Sequence, residues 1–243
     1  MFLAVWILYA ADRLLDAGLL SAHPLDTGTL EARHHFHHRH RTAFLTGILL
    51  ASAALAALLP QLSPEAIRLY LILGTLVFAY FVLIHATRAA HRLPKEFAVG
   101  ICFAAAIFIP TVARRPDLRL PLLAPALLFA ALCSLNCLFI YAWEHTQPAL
   151  HPAHPTTALA LRYLVPTAVT AAAVGVALTL LTLTPDPGPQ ARLIPAATTV
   201  SIALLLLLHH RRQPVAPLTL RAAADLVLLT PLRLLLRYAH TPL

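Results

Sequence analysis

Five stretches of this chain, residues 42–59, 66–86, 121–143, 163–183 and 193–208, run almost without charge. In hydrocarbon every backbone N–H and C=O must be satisfied internally, so such segments cross a bilayer only as helices or as strands of a closed barrel. Barrel strands alternate apolar and polar residues, and the leucines and alanines here do not. A helix rises about 1.5 Å per residue, so about 20 residues cross a core about 30 Å thick. The five stretches are therefore read as spanning helices. Of the 243 residues, 59% are hydrophobic and 12% charged, against about 25% charged in a soluble domain. A water-soluble globule is excluded on that ground.

Extended along the chain, the pattern predicts an all-α, polytopic membrane bundle of about eight transmembrane helices. They are placed at about 2–20, 42–60, 66–86, 95–112, 121–143, 160–184, 192–209 and 217–237. Proline favours the first helical turn and the residues beyond a helix end. Pro60, Pro64, Pro94, Pro116, Pro121, Pro148, Pro152, Pro155, Pro185, Pro187, Pro189, Pro214 and Pro217 all fall at such boundaries. The connections are short except 21–41 and 144–159, which predicts one integral-membrane domain over 1–243. Residues 1–11 lack a basic n-region and a cleavage pattern, and are read as part of a mature helix. Cys102, Cys133 and Cys137 lie inside predicted spans, where packing rather than a disulfide framework is expected.

The formal charge of +8 sits in arginines between apolar spans, where it sets topology. Nucleic acid is not an expected partner. Arg33, Arg39, Arg41, Arg88, Arg92, Lys95, Arg162, Arg211, Arg212 and Arg221 collect on one side. Arg68, Arg114, Arg115, Arg119, Arg192, Arg233 and Arg237 collect on the other. The excess places the 21–41 loop in the cytoplasm, with a bacterial inner membrane as the expected location. Every histidine except His240 then falls on the cytoplasmic side, together with the acids discussed next.

Asp12 and Asp16, in Tyr9-Ala10-Ala11-Asp12-Arg13-Leu14-Leu15-Asp16, are four residues apart and share a helix face near the end of a span. An ionisable group at membrane depth costs roughly 2.5–3.5 kcal/mol on insertion scales and normally faces a cavity or a partner. Two converging carboxylates suit Mg2+, a hard cation that bridges protein acids to substrate phosphates. Alternatively, Arg13 neutralises one acid and the other snorkels to the headgroups.

The segment Val5 to Asp16, VWILYAADRLLD, resembles the first aspartate motif of the UbiA superfamily of intramembrane prenyltransferases, Asn-Asp-x-x-Asp-x-x-x-Asp. Asp12 and Asp16 match its last two acids, and Arg13 follows the first of them as is common in the family. Leu8 and Tyr9 stand where the motif has its asparagine and first aspartate. In the fifth predicted span, Ser134 to Glu144 occupies the place of the second aspartate motif, with Glu144 as its one carboxylate and Asn136 on roughly the same face. For these two the plainer reading is an interhelical hydrogen bond from Asn136 and an interfacial Trp143-Glu144 anchor. A family member has nine spans with the first motif on the second. The eight predicted here fit the absence of one N-terminal helix.

The resemblance implies transfer of an isoprenyl group from a prenyl diphosphate to a lipophilic acceptor. Asp12 and Asp16 would hold Mg2+, Glu144 would assist, and Arg13, Arg88, Arg92, Lys95 and Asn136 would meet the substrate. The basic residues are equally read as positive-inside topology signals. A non-catalytic, lipid-binding UbiA-like protein is the alternative. A third class rests on the loop Arg33-His34-His35-Phe36-His37-His38-Arg39-His40-Arg41, whose His-x-x-His-His spacing is shared with membrane di-iron desaturases and hydroxylases. His34, His35, His37 and His38 would bind iron or zinc there, in an enzyme or a cation transporter, or the loop would touch anionic headgroups. Arg221 and Asp225, four residues apart, are expected to pair within one helix.

Overall fold

The computed structural model describes residues 3, 6, 7, 10, 11, 14, 39–87, 95–144, 155–181 and 189–229. Among these, every regular element is helical: α1 (Arg41–Leu58), α2 (Pro64–Thr87), α3 (Lys95–Arg114), α4 (Leu123–Glu144), α5 (Pro155–Arg162), α6 (Leu164–Leu181), α7 (Pro189–His210) and α8 (Pro217–Val227). Short 3-10 turns at Leu59–Gln61 and Pro116–Leu118 follow α1 and α3. Among the described residues, five segments are long and apolar enough to cross a membrane: Arg41–Gln61, Glu96–Arg114, Leu123–Glu144, Leu164–Leu181 and Leu193–His210. The fold is thus an all-helical one with membrane-spanning character. The predicted first span, 2–20, lies largely outside the described residues.

Proline starts these helices as the sequence predicts. Pro64, Pro155, Pro189 and Pro217 each occupy the first residue of α2, α5, α7 and α8, where the missing N–H removes no intrahelical bond. At the start of α2 the Ser63 hydroxyl accepts from the Ala66 N–H at 3.2 Å, a serine N-cap.

One predicted span changes in the structure. The helix placed at 160–184 is two helices, broken at Tyr163 between α5 and α6. Pro166 has no N–H for the Arg162 carbonyl and its ring crowds that group, so the helix restarts there. Of the span placed at 217–237, residues 230–237 lie outside the described residues, and the described part is α8, which ends at Val227 with Leu228 and Leu229 in a turn. The 11 residues of α8 rise about 16 Å.

The chain divides into two units, residues 1–67 and 68–243, the division falling within α2. In the first, α1 buries only Ala51, while Leu49 and Leu50 are 70% and 65% exposed. The Trp6 ring lies over Gly47, where a β-carbon would come within 2.6 Å of it.

In the second unit α4 is the axis, packed by α3, α5, α6, α7 and α8. Leu128, Leu132, Leu135, Leu138, Phe139 and Trp143 of α4 form the core with Ala104, Ala168, Ile202, Leu205, Leu220 and Ala224. On α3, Phe103 and Phe108 pack on Phe129, with ring centroids 6.5 and 6.2 Å apart. The outer helices show the reverse pattern: Ile101, Val169, Leu180 and Leu207 are exposed, as expected where lipid is the solvent.

Small residues bring the helices close, since in lipid association depends on packing rather than on the hydrophobic effect. Gly100 of α3 lies against Ser134 and the Ala130 backbone of α4, and Gly175 of α6 against Thr199 of α7.

Candidate functional site: the polar end of the bundle

The up-and-down order of α3 to α8 gathers the start of α3, the end of α4, the start of α5, the end of α7 and the start of α8 at one end of the second unit. Three cross-helix contacts join them. The Thr157 hydroxyl donates to Glu96 Oε2 at 3.0 Å, Arg221 Nη1 donates to Glu144 Oε1 at 3.1 Å, and Trp143 Nε1–H donates to His209 Nδ1 at 3.1 Å. Arg114 ends α3, and Arg115 and Arg119 lie between α3 and α4, at the opposite end.

Glu144 is the last residue of α4, and its ion pair with Arg221 ties α4 to α8. The two side chains are 22% and 26% exposed. The sequence reading paired Arg221 with Asp225 instead. The buried stripe Leu220, Ala224 and Val227 fixes the rotation of α8 against its neighbours, and from that rotation the guanidinium reaches Glu144 in the half-buried seam. Asp225 is exposed. A carboxylate in the seam gains more from a cation than one in high dielectric does.

One turn or two deeper, Cys137 lies within electrostatic reach of Glu96, Arg221 and Asp225. Glu96 likewise acts on Tyr141 of α4 and Tyr80 of α2. Asn136 is 3% exposed, and its Oδ1 has no hydrogen-bond partner among the described residues, as is also true of Tyr80 Oη. The interhelical hydrogen bond expected of Asn136 is thus not made through that oxygen among the described residues.

Trp143, the neighbour of Glu144, is 5% exposed. Its partner His209 also packs against Phe139, with ring centroids 5.1 Å apart. Arg212 Nη1 lies 3.0 Å from Nδ1 and 2.8 Å from Nε2 of the same imidazole. The end of α4 is thus held twice, through Trp143 by α7 and through Glu144 by α8.

Of the residues singled out from sequence, Glu144 and Asn136 lie in this region. Lys95 is the first residue of α3, at the same end. Asp12, Arg13, Asp16, Arg88, Arg92, His34, His35, His37 and His38 lie outside the described residues. Sequence reasoning did not single out Glu96, Thr157, His209 or Arg212 as site residues, and it gave Arg221 a different partner. Their signal was position: each lies in the first or last turns of a helix or, for Arg212, just beyond one, at the end shared with Glu144.

Among the described residues no group of three or more His, Cys, Asp or Glu side chains is arranged to hold a metal ion. The oxygen donors of Glu96 and Glu144 are of the type that Mg2+ takes, and one oxygen of each is engaged by Thr157 and Arg221. The arrangement presents a half-buried guanidinium and several carboxylates at the rim of an apolar bundle, a setting in which the polar head of an amphipathic ligand is met by charge and its tail by hydrocarbon. Comparison with known proteins adds no assignment: no family model matches the chain, and neither a curated protein nor a solved structure gives a significant match.

Proposed function

We propose that the chain is a UbiA-like intramembrane enzyme that transfers an isoprenyl group from a prenyl diphosphate to a lipophilic acceptor. The observation that carries this reading is the charged group at one end of otherwise apolar helices, Glu96, Glu144, Arg221 and Asp225. Ionisable groups at the margin of the hydrocarbon are costly and commonly mark a functional site. The Asp12 and Asp16 pair adds the sequence signature of a diphosphate-binding metal site.

In this reading Asp12 and Asp16 would hold Mg2+, which would supply positive charge to offset that of the departing diphosphate. Arg13, Arg88, Arg92 and Lys95 would meet the diphosphate oxygens, as the resemblance implies. Asn136 offers its amide oxygen to a donor on the acceptor. The apolar helices hold the isoprenoid tail and keep water from the allylic cation. The polar end faces the cytoplasm of a bacterial inner membrane, and the full bundle has about eight spans.

The test is magnesium-dependent consumption of an isoprenyl diphosphate by purified protein in detergent or nanodiscs. An Asp12→Ala, Asp16→Ala variant with unchanged turnover rejects the site. The Arg221 to Glu144 contact also favours a second reading, a non-catalytic lipid-binding protein in which that pair is a structural tie. Saturable binding of the diphosphate without turnover, with or without Mg2+, selects that reading.

A further inference from the structure

We propose that the Trp143–His209–Arg212 cluster is a pH-sensitive latch, closed when the imidazole is neutral and opened when it is protonated. Among the described residues, donors outnumber acceptors around this ring. The indole N–H is donor only and the guanidinium has no acceptor, so both groups that reach the His209 ring with polar atoms bring donors. Trp143 Nε1 lies 3.1 Å from Nδ1, and Arg212 Nη1 lies within 3.0 Å of both ring nitrogens. A neutral imidazole keeps one acceptor nitrogen, assigned here to Nδ1 from the indole bond. A protonated ring keeps none, and then faces two donors, one of which is a permanent cation.

Other charged and titratable groups surround this end of α7. Trp143 and Glu144 come from α4, Arg221 and Asp225 from α8, Arg162 and Tyr163 from the α5–α6 junction, and His210 and Arg211 from the turn that carries Arg212. The charged group that touches the His209 ring is Arg212, and the Glu144 carboxylate is engaged by Arg221 at 3.1 Å. Protonation therefore brings repulsion from Arg212 while the indole is deprived of its acceptor. The Trp143–His209 bond ties the end of α4 to α7 next to Glu144, so acidification, by breaking it, loosens the rim of the polar site. The latch is independent of the substrate proposed above.

The chain has two tryptophans, so the full-length Trp6→Phe variant reports on Trp143 alone. As pH is lowered from about 8 to about 4, across the ordinary imidazole value near 6.5, its emission is expected to fall reversibly and shift to the red. Acrylamide quenching is expected to rise about twofold or more as the buried indole becomes accessible. Adding His209→Gln, whose amide oxygen accepts the indole N–H but does not titrate, removes the step. Adding Arg212→Gln, which leaves His209 in place, moves the step to higher pH. An emission that is flat across the range, or a step that persists in His209→Gln, overturns the latch. So does a fall in intensity with neither red shift nor added quenching, because the ring then protonates without opening. If His209→Gln fails to fold, an unmoved step in Arg212→Gln overturns it equally.

Discussion

The hydroxyl of Tyr70 donates to the carbonyl oxygen of Ala106 across 3.0 Å, and Ala106 is the residue whose carbonyl Pro110 leaves without an intrahelical partner. Pro110 lies inside α3 and has no N–H to return to the residue four before it. A neighbouring helix thus supplies a hydroxyl to the carbonyl that the proline frees, the kind of compensation that lets proline occur in membrane helices.

Tyr70→Phe is therefore expected to destabilise the protein by about 0.6–1.7 kcal/mol, the span measured for interhelical hydrogen bonds in a membrane. In a Pro110→Ala background the restored backbone N–H at that position satisfies the same carbonyl, and the loss should shrink toward zero. Reversible unfolding of the two single variants and the double variant measures this coupling. Equal losses in both backgrounds would mean that the tyrosine acts through packing alone.

Gly100 and Gly74 make opposite predictions from the same substitution. A β-carbon at Gly100 would come within 2.7 Å of the Ala130 carbonyl oxygen and the Ser134 nitrogen, both backbone atoms of α4, whereas at Gly74 it would meet nothing within 4 Å. Gly100→Ala should cost about 1–3 kcal/mol through overpacking. Gly74→Ala should be neutral or stabilising by up to about 1 kcal/mol through helix propensity. Thermal unfolding in one detergent orders the two variants. A Gly100→Ala protein as stable as Gly74→Ala would contradict the close α3–α4 crossing.

At the opposite end, Arg115 holds Asp117 through bonds of 2.8 and 3.1 Å to its two carboxyl oxygens. The guanidinium hydrogen bond keeps this carboxyl below the ordinary carboxylate range. A carboxyl depressed on folding contributes stability above its unfolded value, about 3.9, and that contribution is lost as pH falls through the lower folded value. A carboxyl 13C titration should place Asp117 below a free aspartate, and Arg115→Gln should return it. Both groups are solvent-exposed, so raising the salt concentration should narrow the difference.

Much of this fold is legible in the sequence because lipid imposes a length and a composition on each helix. The apolar runs predict α1, α2, α3, α4 and α7 to within a few residues, and proline marks the starts of α2 and α7. The runs do not reveal the break at Tyr163, because the sequence stays largely apolar through it while Pro166, a few residues on, decides where the ladder fails. The site was legible only in part. Glu144 and Asn136 stand out as polar residues in an apolar helix, but the partners at this end come from residues 77 and 66 positions away in the cases of Arg221–Glu144 and Trp143–His209. A helical repeat shows which residues share a face and is silent on which helix that face meets. The spacing of Arg221 and Asp225 fits an intrahelical pair, and the rotation of α8 selects Glu144.

The Arg221 and Glu144 contact is the most direct test of the arrangement around α4. Both side chains are about three-quarters buried, so the pair lies between exposed ion pairs, worth about 0–1 kcal/mol, and fully buried ones, where removing one partner costs about 3–5 kcal/mol. Arg221→Leu leaves a half-buried carboxylate without this guanidinium and should destabilise the protein by about 1–3 kcal/mol, the loss expected of a hydrogen bond to a charged group. Glu144→Leu should do the same from the other side. With both replaced no charge is stranded, so the double variant should lose less than the sum of the singles, and a double-mutant cycle isolates the difference. Asp225→Leu serves as the control, because Asp225 is exposed and outside the pair: combined with Arg221→Leu its effect should simply add. Strict additivity for Arg221 with Glu144, or strong coupling of Arg221 with Asp225, would return the pairing to the intrahelical one that the sequence spacing suggests.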